Sequence, residues 1–90
     1  MNTPSQTVKV EIYGTSSCKK CFNVRALLDE RNVEYLDYLI DLMPLEKDAM
    51  IRRTGLKYYP QVFINDEHIG GEDEMMQLAM DGRLDKLLGL

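Results

Sequence analysis

A strand pattern near the start of the chain runs directly into a helix pattern, and two cysteines lie where the two meet. Residues 8–13 alternate apolar and polar side chains and end at Gly14, which predicts a strand followed by a turn. From residue 17 to residue 31 apolar side chains recur every three or four positions, which predicts an amphipathic helix. A serine at position 16 or 17 is expected to cap this helix, so that Cys18 lies in its first turn and Cys21 one turn further in.

The next segments continue the alternation of strands and helices. Residues 33–40 are rich in Tyr, Leu, Val and Ile, which predicts a second strand buried on both faces, as in a parallel sheet. Residues 45–53 predict a short helix that begins after Pro44 and ends near Gly55. Strand, helix and strand together predict a β-α-β unit.

The last third of the chain predicts a hairpin followed by a helix. Residues 61–64 and 67–69 form two strand patterns, and the Asn-Asp pair at 65–66 tolerates the positive φ angles of a tight turn. A helix is expected to begin at Glu72, and residues 84–88 to form a final turn that closes the core. The predicted fold class is α/β, in the order β-α-β-α-β-β-α, with one mixed four-stranded sheet flanked by helices.

Length and charge restrict the kind of protein this can be. The chain has 90 residues, with 11 Lys and Arg against 15 Asp and Glu and a formal net charge of −4. A single domain is expected over residues 1–90, with a polar leader at 1–7. The acidic balance argues against a nucleic-acid partner, because phosphates require a basic protein face. Since no apolar segment resembles a signal peptide or a membrane span, a cytoplasmic protein with no membrane partner is expected.

The two cysteines have the spacing and setting of a thiol-disulfide exchanger. Free amides and the positive end of the dipole at a helix start stabilise a thiolate, and Lys19 and Lys20 add positive charge beside Cys18. Cys18 is therefore predicted to be the attacking sulfur. Cys21 lies one turn away, where a second thiol can attack a mixed disulfide on Cys18 and release the reduced product.

A cysteine pair can also serve purposes other than exchange. A closed zinc site needs four ligands, and the only histidine is His68, so no metal site is predicted. An iron–sulfur cluster shared between two chains remains an alternative. His68 is expected to be a hairpin residue, Arg52 and Arg53 a solvated pair, and the six methionines core filler.

Three motifs in this order make the chain resemble a dithiol glutaredoxin over residues 8–88. They are the Cys18 and Cys21 pair, Pro60 followed by the strand at 61–64, and residues 68–73, which resemble the Gly-Gly-x-Asp glutathione motif of that family. The resemblance implies a thioredoxin-like fold, a cis bond before Pro60, and reduction of disulfides, including glutathione mixed disulfides. It also implies that glutathione is the co-substrate and that no cofactor is bound permanently.

The resemblance assigns roles to five further residues. Tyr59 would pair its backbone with the cysteinyl part of glutathione, as in strand addition. Gly71 and Glu72 would bring backbone amides near the γ-glutamyl carboxylate, and Asp73 would accept its ammonium group. Tyr13 would line the approach to the reactive cysteine.

The residues between the two cysteines differ from the family pattern. The family carries proline and tyrosine there, and this chain has Lys19 and Lys20. These lysines are expected to make the disulfide more oxidising than the family range of about −200 to −230 mV. The family's threonine and valine before the proline are replaced by Tyr58 and Tyr59, which would place large rings near the groove.

The cations that meet the glycyl carboxylate of glutathione in the family are also replaced. Thr15 and Leu56 stand where the family has basic residues. Lys57, Lys19 or Lys20 would supply the cation instead, because a lysine stem reaches a carboxylate through several rotamers.

Two other functions remain open from the sequence. One is a thioredoxin-like reductase that glutathione does not serve, and the other is an iron–sulfur cluster carrier or binding module that uses Cys18 as a ligand. The expected partners are glutathione and disulfide-bearing proteins, with ribonucleotide reductase among them as in related family members. A monomer is expected.

Overall fold

The computed structural model describes residues 6–90, so residues 1–5 of the expected polar leader lie outside the described residues. Eight elements follow in chain order: β1 Val10–Gly14, α1 Lys19–Glu30, β2 Leu36–Leu39, α2 Pro44–Thr54, β3 Gln61–Ile64, β4 Glu67–Gly70, α3 Glu72–Met80 and α4 Arg83–Leu87. The predicted order is confirmed, and the expected final turn is the short helix α4. No helix within residues 6–90 is long and apolar enough to cross a membrane.

The four strands form one mixed sheet in the order β2-β1-β3-β4. β1 and β2 are parallel, as the α1 crossover between them requires, and Tyr13 lies opposite Tyr38. β3 runs antiparallel to both β1 and β4. The β3–β4 turn is the predicted one, since Asn65 and Asp66 have φ angles of 51° and 67°.

Each face of the sheet has its own core because successive side chains of a strand point to opposite faces. On one face, apolar residues of β1 and β3 pack against α1, α3 and α4; this cluster includes Val10, Ile12, Val24, Leu28, Val62, Ile64, Met75, Leu84 and Leu88. On the other face, Tyr13, Ile40 and Phe63 pack around Met50 of α2. Of the described helices, α2 alone contributes to this second cluster, which is the smaller one.

The predicted burial of the second strand was wrong. β2 is the four-residue segment Leu36–Leu39 at the edge of the sheet, and Leu36 is 50% exposed. The segment was expected to be buried largely on both faces because it is apolar. Among residues 6–90, β1 is the only strand paired with β2, so the strand lies at an edge and its side chains are half-buried or exposed.

The expectation that the methionines fill the core holds only in part. Met50 and Met75 are fully buried, whereas Met43, Met76 and Met80 are exposed, Met80 to 82%. Met80 is the last residue of α3.

Arg52 and Arg53 are both exposed residues, as expected, but the guanidinium of Arg53 also makes contacts that the sequence did not reveal. Its guanidinium lies 3.7 Å from the centroid of the Phe63 ring. It donates to the hydroxyl of Tyr13 at 2.8 Å and to both carboxylate oxygens of Glu11 at 3.2 Å. Glu11 is only 6% exposed, so Arg53 neutralises a carboxylate that the fold has removed from water.

Candidate active site

Cys18 itself caps the helix that was predicted to begin at a serine. α1 starts at Lys19, and Cys18 has the extended conformation of an N-cap, with φ −100° and ψ 122°. Its Sγ accepts a hydrogen bond from the amide of Cys21 at 3.2 Å. The hydroxyl of Ser16 donates instead to Asp41. The sulfur therefore occupies the position where a helix start offers its unpaired amides to an anion.

Cys21 has the opposite environment. Cys18 is partly exposed, whereas Cys21 is 0% exposed. Burial, with a further contribution from the hydrogen bond to Cys18, raises the pKa of the Cys21 thiol to about 12. The outer sulfur is thus accessible to a substrate, and the inner sulfur is held as a neutral thiol behind it.

The last residue of β1 makes room for the inner sulfur. A Cβ built on Gly14 would lie 2.8 Å from Cys21 Sγ, closer than any side chain tolerates. The carbonyl of Gly14 accepts from the amide of Ile40 at 2.8 Å, which fixes the end of the strand. Glycine at this position is therefore a packing requirement of the cysteine pair.

A cleft of about 160 Å³ opens where the starts of α1 and α3 approach the loop before β3. Its lining includes six residues proposed from the sequence: Lys20, Tyr59, Pro60, Gly71, Glu72 and Asp73. Tyr58 and Glu74 complete it. The cleft has a cation on the α1 side and three carboxylates on the α3 side, so it suits a ligand that carries both charges.

Three of the proposed binding residues lie elsewhere. Lys19 and Lys57 are exposed, and neither lines the cleft. Tyr13 is 2% exposed and packs against Tyr38 and Phe63 on the α2 face. Because β1 alternates its side chains, Tyr13 faces away from α1, and the expected role in lining the approach to Cys18 is corrected to a core role.

The start of α3 is held by its own acidic residue, which changes one expected role. The amide of Gly71 donates to the carboxylate of Glu74 at 2.8 Å, so this amide is already used and is not free for a ligand. The same hydrogen bond holds the pKa of the Glu74 carboxyl below its ordinary value, which keeps that wall of the cleft negative. The side-chain amide of Asn23 donates to Glu72 at 2.6 Å and links α1 to α3.

The loop before β3 has the predicted cis bond, and it is held by side-chain hydrogen bonds that the sequence did not reveal. The Tyr59–Pro60 peptide is cis. Gln61, which is fully buried, donates from Nε2 to the carbonyl of Tyr58 at 3.0 Å. Its Oε1 lies 2.7 Å from Nε2 of His68 on β4, so that nitrogen carries the proton. His68 is the hairpin residue that was predicted, and it also orients the amide that holds this loop.

Gly71 also lies close to the backbone of the loop before β3. A Cβ on Gly71 would lie 2.9 Å from the carbonyl oxygen of Pro60, which is a backbone atom and cannot turn aside. The cleft therefore depends on a glycine at this close backbone contact.

A family model described as glutaredoxin matches residues 10–69, which include both cysteines, the cis proline and most of the hairpin. The chain belongs to the glutaredoxin family. This glutaredoxin is a thiol-disulfide oxidoreductase with a thioredoxin-like fold, and the cysteine pair at the start of α1 is the dithiol expected of that chemistry.

Individual relatives agree with the family model. Glutaredoxin 1 of Rickettsia typhi is 44% identical over 79 residues, covering 86% of this chain and 76% of that protein. Glutaredoxin 3 of Escherichia coli strain K12 is 39% identical over 79 residues, covering 88% of this chain and 95% of that protein.

Solved structures confirm the fold. The glutaredoxin of Brucella melitensis superposes with a TM-score of 0.78 at 34% identity, covering 96% of this chain and 94% of that one. A buckwheat glutaredoxin in complex with glutathione superposes with a TM-score of 0.82 at 28% identity, covering 93% of this chain and 79% of that one.

Three residues around the site were missed from the sequence. Glu74 has the spacing of a capping box from the helix start, so a search for that pattern would have found it. The other two are Gln61 and Arg25, which look like ordinary polar positions of a strand and a helix. Arg25 lies beneath the loop at residues 15–18 between β1 and α1, here called the cysteine loop. Within residues 6–90, no group of three or more His, Cys, Asp or Glu is arranged to hold a metal ion.

Proposed function

We propose that this glutaredoxin reduces protein disulfides and glutathione mixed disulfides through Cys18 and Cys21, with glutathione as the reductant. The observation that carries the proposal is the cleft beside the cysteine loop, with Lys20 on one wall and the α3 carboxylates on the other. Glutathione has two carboxylates and one ammonium group, so it matches a cleft with both charges. The buckwheat relative has been crystallised as a glutathione complex, which supports the same ligand here.

The proposed reaction divides into two exchanges. The Cys18 thiolate attacks one sulfur of the substrate disulfide, a new S–S bond forms, and the other sulfur leaves as a thiolate that takes a proton from solvent. The mixed disulfide is then attacked by Cys21 or by the thiolate of a second glutathione. After attack by Cys21, two glutathione molecules reduce the Cys18–Cys21 disulfide and leave as glutathione disulfide. After attack by glutathione on a Cys18–glutathione mixed disulfide, glutathione disulfide leaves directly and Cys18 is a thiolate again.

The cleft residues are assigned to parts of the ligand on chemical grounds. Tyr59 would offer its backbone N–H and C=O to the cysteinyl part, next to the cis Pro60. The free amide of Glu72 would meet the γ-glutamyl carboxylate, and Asp73 its ammonium group. Lys20 would meet the glycyl carboxylate.

Two lysines outside the cleft belong to the same proposal. Lys19 and Lys57 are exposed and can swing toward a bound glycyl carboxylate, because their stems have several rotamers. We expect Lys57→Ala to raise the KM for a glutathione mixed disulfide less than Lys20→Ala does, because only Lys20 lines the cleft.

The location and protein partners follow from this chemistry. We propose that the protein is located in the cytoplasm, because glutathione keeps thiols reduced in that compartment. Ribonucleotide reductase is proposed among the protein substrates, and a monomer as the active form.

The test is glutathione-coupled reduction of a small glutathione mixed disulfide by the wild type, Cys18→Ser and Cys21→Ser. Activity should disappear in Cys18→Ser and be partly kept in Cys21→Ser, because glutathione itself can resolve the mixed disulfide on Cys18. A wild type without activity would overturn glutathione dependence. Turnover with a thioredoxin-reducing flavoenzyme, or visible absorbance after anaerobic iron–sulfur reconstitution, would then identify which alternative applies.

A further inference from the structure

The inner thiol has to ionise before it can attack, and its surroundings oppose this. Cys21 is fully buried, and burial is the largest cause of its raised pKa. A backbone hydrogen bond from Thr15 and the charge of Arg25 act in the opposite direction. The resolving step therefore needs groups that support a negative charge at a sulfur shielded from water.

Arg25 lies one turn further along the same helix, four residues after Cys21. The position of a Cβ on Gly14 would be 2.8 Å from Cys21 Sγ and 3.3 Å from Arg25 Nη2. The two groups therefore lie within about 6 Å of each other, a range in which an opposite charge favours the ionised form. Glycine leaves the space between them free of any side chain from β1.

The guanidinium of Arg25 is fixed in this place. Its Nη2 donates to the carbonyl of Thr15 at 3.1 Å, and its Nε donates to the carboxylate of Asp37 on β2 at 2.9 Å. The side chain is 15% exposed. Because α1, the cysteine loop and β2 all hold it, the charge is in position before the thiol ionises.

We propose that Arg25 is a positioning residue for the resolving step and acts through Cys21, supporting the negative charge on its sulfur during attack on a mixed disulfide at Cys18. This deepens the proposed function and rests on it. In this step the Cys21 thiol loses its proton to solvent, its sulfur forms a bond to Cys18 Sγ, and the bond from Cys18 to the substrate sulfur breaks. Cys21 is oxidised, and the substrate sulfur is reduced and leaves as a thiolate.

A purely structural role for Arg25 predicts different behaviour. Asp37 partly neutralises the guanidinium, and the pair joins α1 to the edge strand. If Arg25 serves only as a brace, Asp37→Asn should impair the protein in the same way as Arg25→Gln. If the charge of Arg25 supports Cys21, Asp37→Asn should leave the resolving step as fast or make it faster, since a competing carboxylate charge is removed. The other titratable group facing Cys21 is Cys18, which is neutralised as a disulfide in the mixed-disulfide state.

The experiment is rapid mixing of the reduced protein with one equivalent of dithiobis(nitrobenzoate), followed by the absorbance of released nitrothiobenzoate. The first equivalent is released as Cys18 attacks the reagent, at a rate that depends on reagent concentration. The second is released when Cys21 attacks the mixed disulfide, at a rate that does not. No glutathione is present, so a failure of glutathione recognition leaves this measurement intact.

We expect Arg25→Gln to slow the second phase about three- to tenfold at neutral pH. Loss of the charge should raise the pKa of Cys21 by roughly one unit, which lowers its thiolate fraction about tenfold, and the greater nucleophilicity of the more basic thiolate offsets part of that loss in rate. The pH profile of that phase should move to higher pH. Arg25→Lys, which keeps the charge, should recover most of the rate. The rate of the first phase should change much less.

Three results would overturn the role of Arg25. They are a second phase at the wild-type rate in Arg25→Gln, an unmoved pH profile, and an Asp37→Asn variant as slow as Arg25→Gln. If Arg25→Gln does not fold, Asp37→Asn alone distinguishes the two roles. A purely structural role for the Arg25–Asp37 ion pair predicts a slower second phase in Asp37→Asn, and electrostatic support of Cys21 does not. The proposed function would fail separately, through absent glutathione-coupled turnover in the wild type.

Discussion

Replacing Arg53 with methionine should cost this protein a large part of its stability, although the residue was expected to be solvated. The side chain of Glu11 is 8% exposed, and Arg53 is its ion-pair partner at 3.2 Å. Removing one partner of a buried pair costs about 3–5 kcal/mol, because the other charge stays buried. The side chain of Arg53 is 28% exposed, so the lower figure of about 3 kcal/mol applies. A domain of this size has roughly 5–13 kcal/mol in all.

Urea unfolding followed by far-ultraviolet circular dichroism measures this change, and two controls make it specific. Arg52→Met alters the neighbouring arginine, for which the described residues include no ion-pair partner, and should shift the free energy of unfolding by less than about 0.5 kcal/mol. Glu11→Leu combined with Arg53→Met removes both charges and should lie within about 1 kcal/mol of the wild type. The reasoning is refuted if Arg53→Met costs under about 1 kcal/mol, or if the double variant is as unstable as the single one.

Four further predictions concern the site and its surroundings. Gly14→Ala should lower the free energy of unfolding by about 1–3 kcal/mol in a urea titration, because the new Cβ would lie 2.8 Å from Cys21 Sγ; an unchanged midpoint would contradict this packing. Gly71→Ala should lower glutathione-coupled kcat/KM about tenfold by displacing the Pro60 carbonyl, and equal values for the two proteins would exclude that contact as a determinant of the cleft. Burial raises the pKa of Cys21 from 9.0 to about 12, so folding favours the thiol, and the stability of the reduced protein should fall between pH 9 and pH 12. Burial likewise raises the pKa of Tyr38 from 10.0 to about 12, so Tyr38→Phe should make the fall above pH 10 shallower, and an identical slope would rule that group out.

Local patterns were sufficient to predict most of the fold. The alternation in β1, the Asn65–Asp66 turn and the glycine after α2 are signals that neighbouring residues provide. The cysteine pair was placed correctly at a helix start for the same reason. The capping residue was misplaced because a cysteine is not among the usual N-caps, although its sulfur accepts an amide here.

The features that were not predicted depend on contacts between distant parts of the chain. An apolar segment such as β2 carries no sign that it lies at the edge of the sheet, because sheet order is a tertiary property. Arg53 and Glu11 are 42 residues apart, so neither position signals the other. Arg25 has the pattern of an outer helix face, and only the fold brings Asp37 and the cysteine loop to it.

The hydrogen bond to Cys18 Sγ is donated by the main-chain amide of residue 21, so it persists whichever side chain stands at that position. Only proline, which lacks the N–H, would abolish it. The hydrogen bond that supports Cys18 Sγ therefore does not depend on the thiol of Cys21. A descendant of this protein could lose the inner thiol through a single codon change and still keep an intact nucleophile, which gives evolution a short path from a two-cysteine to a one-cysteine enzyme.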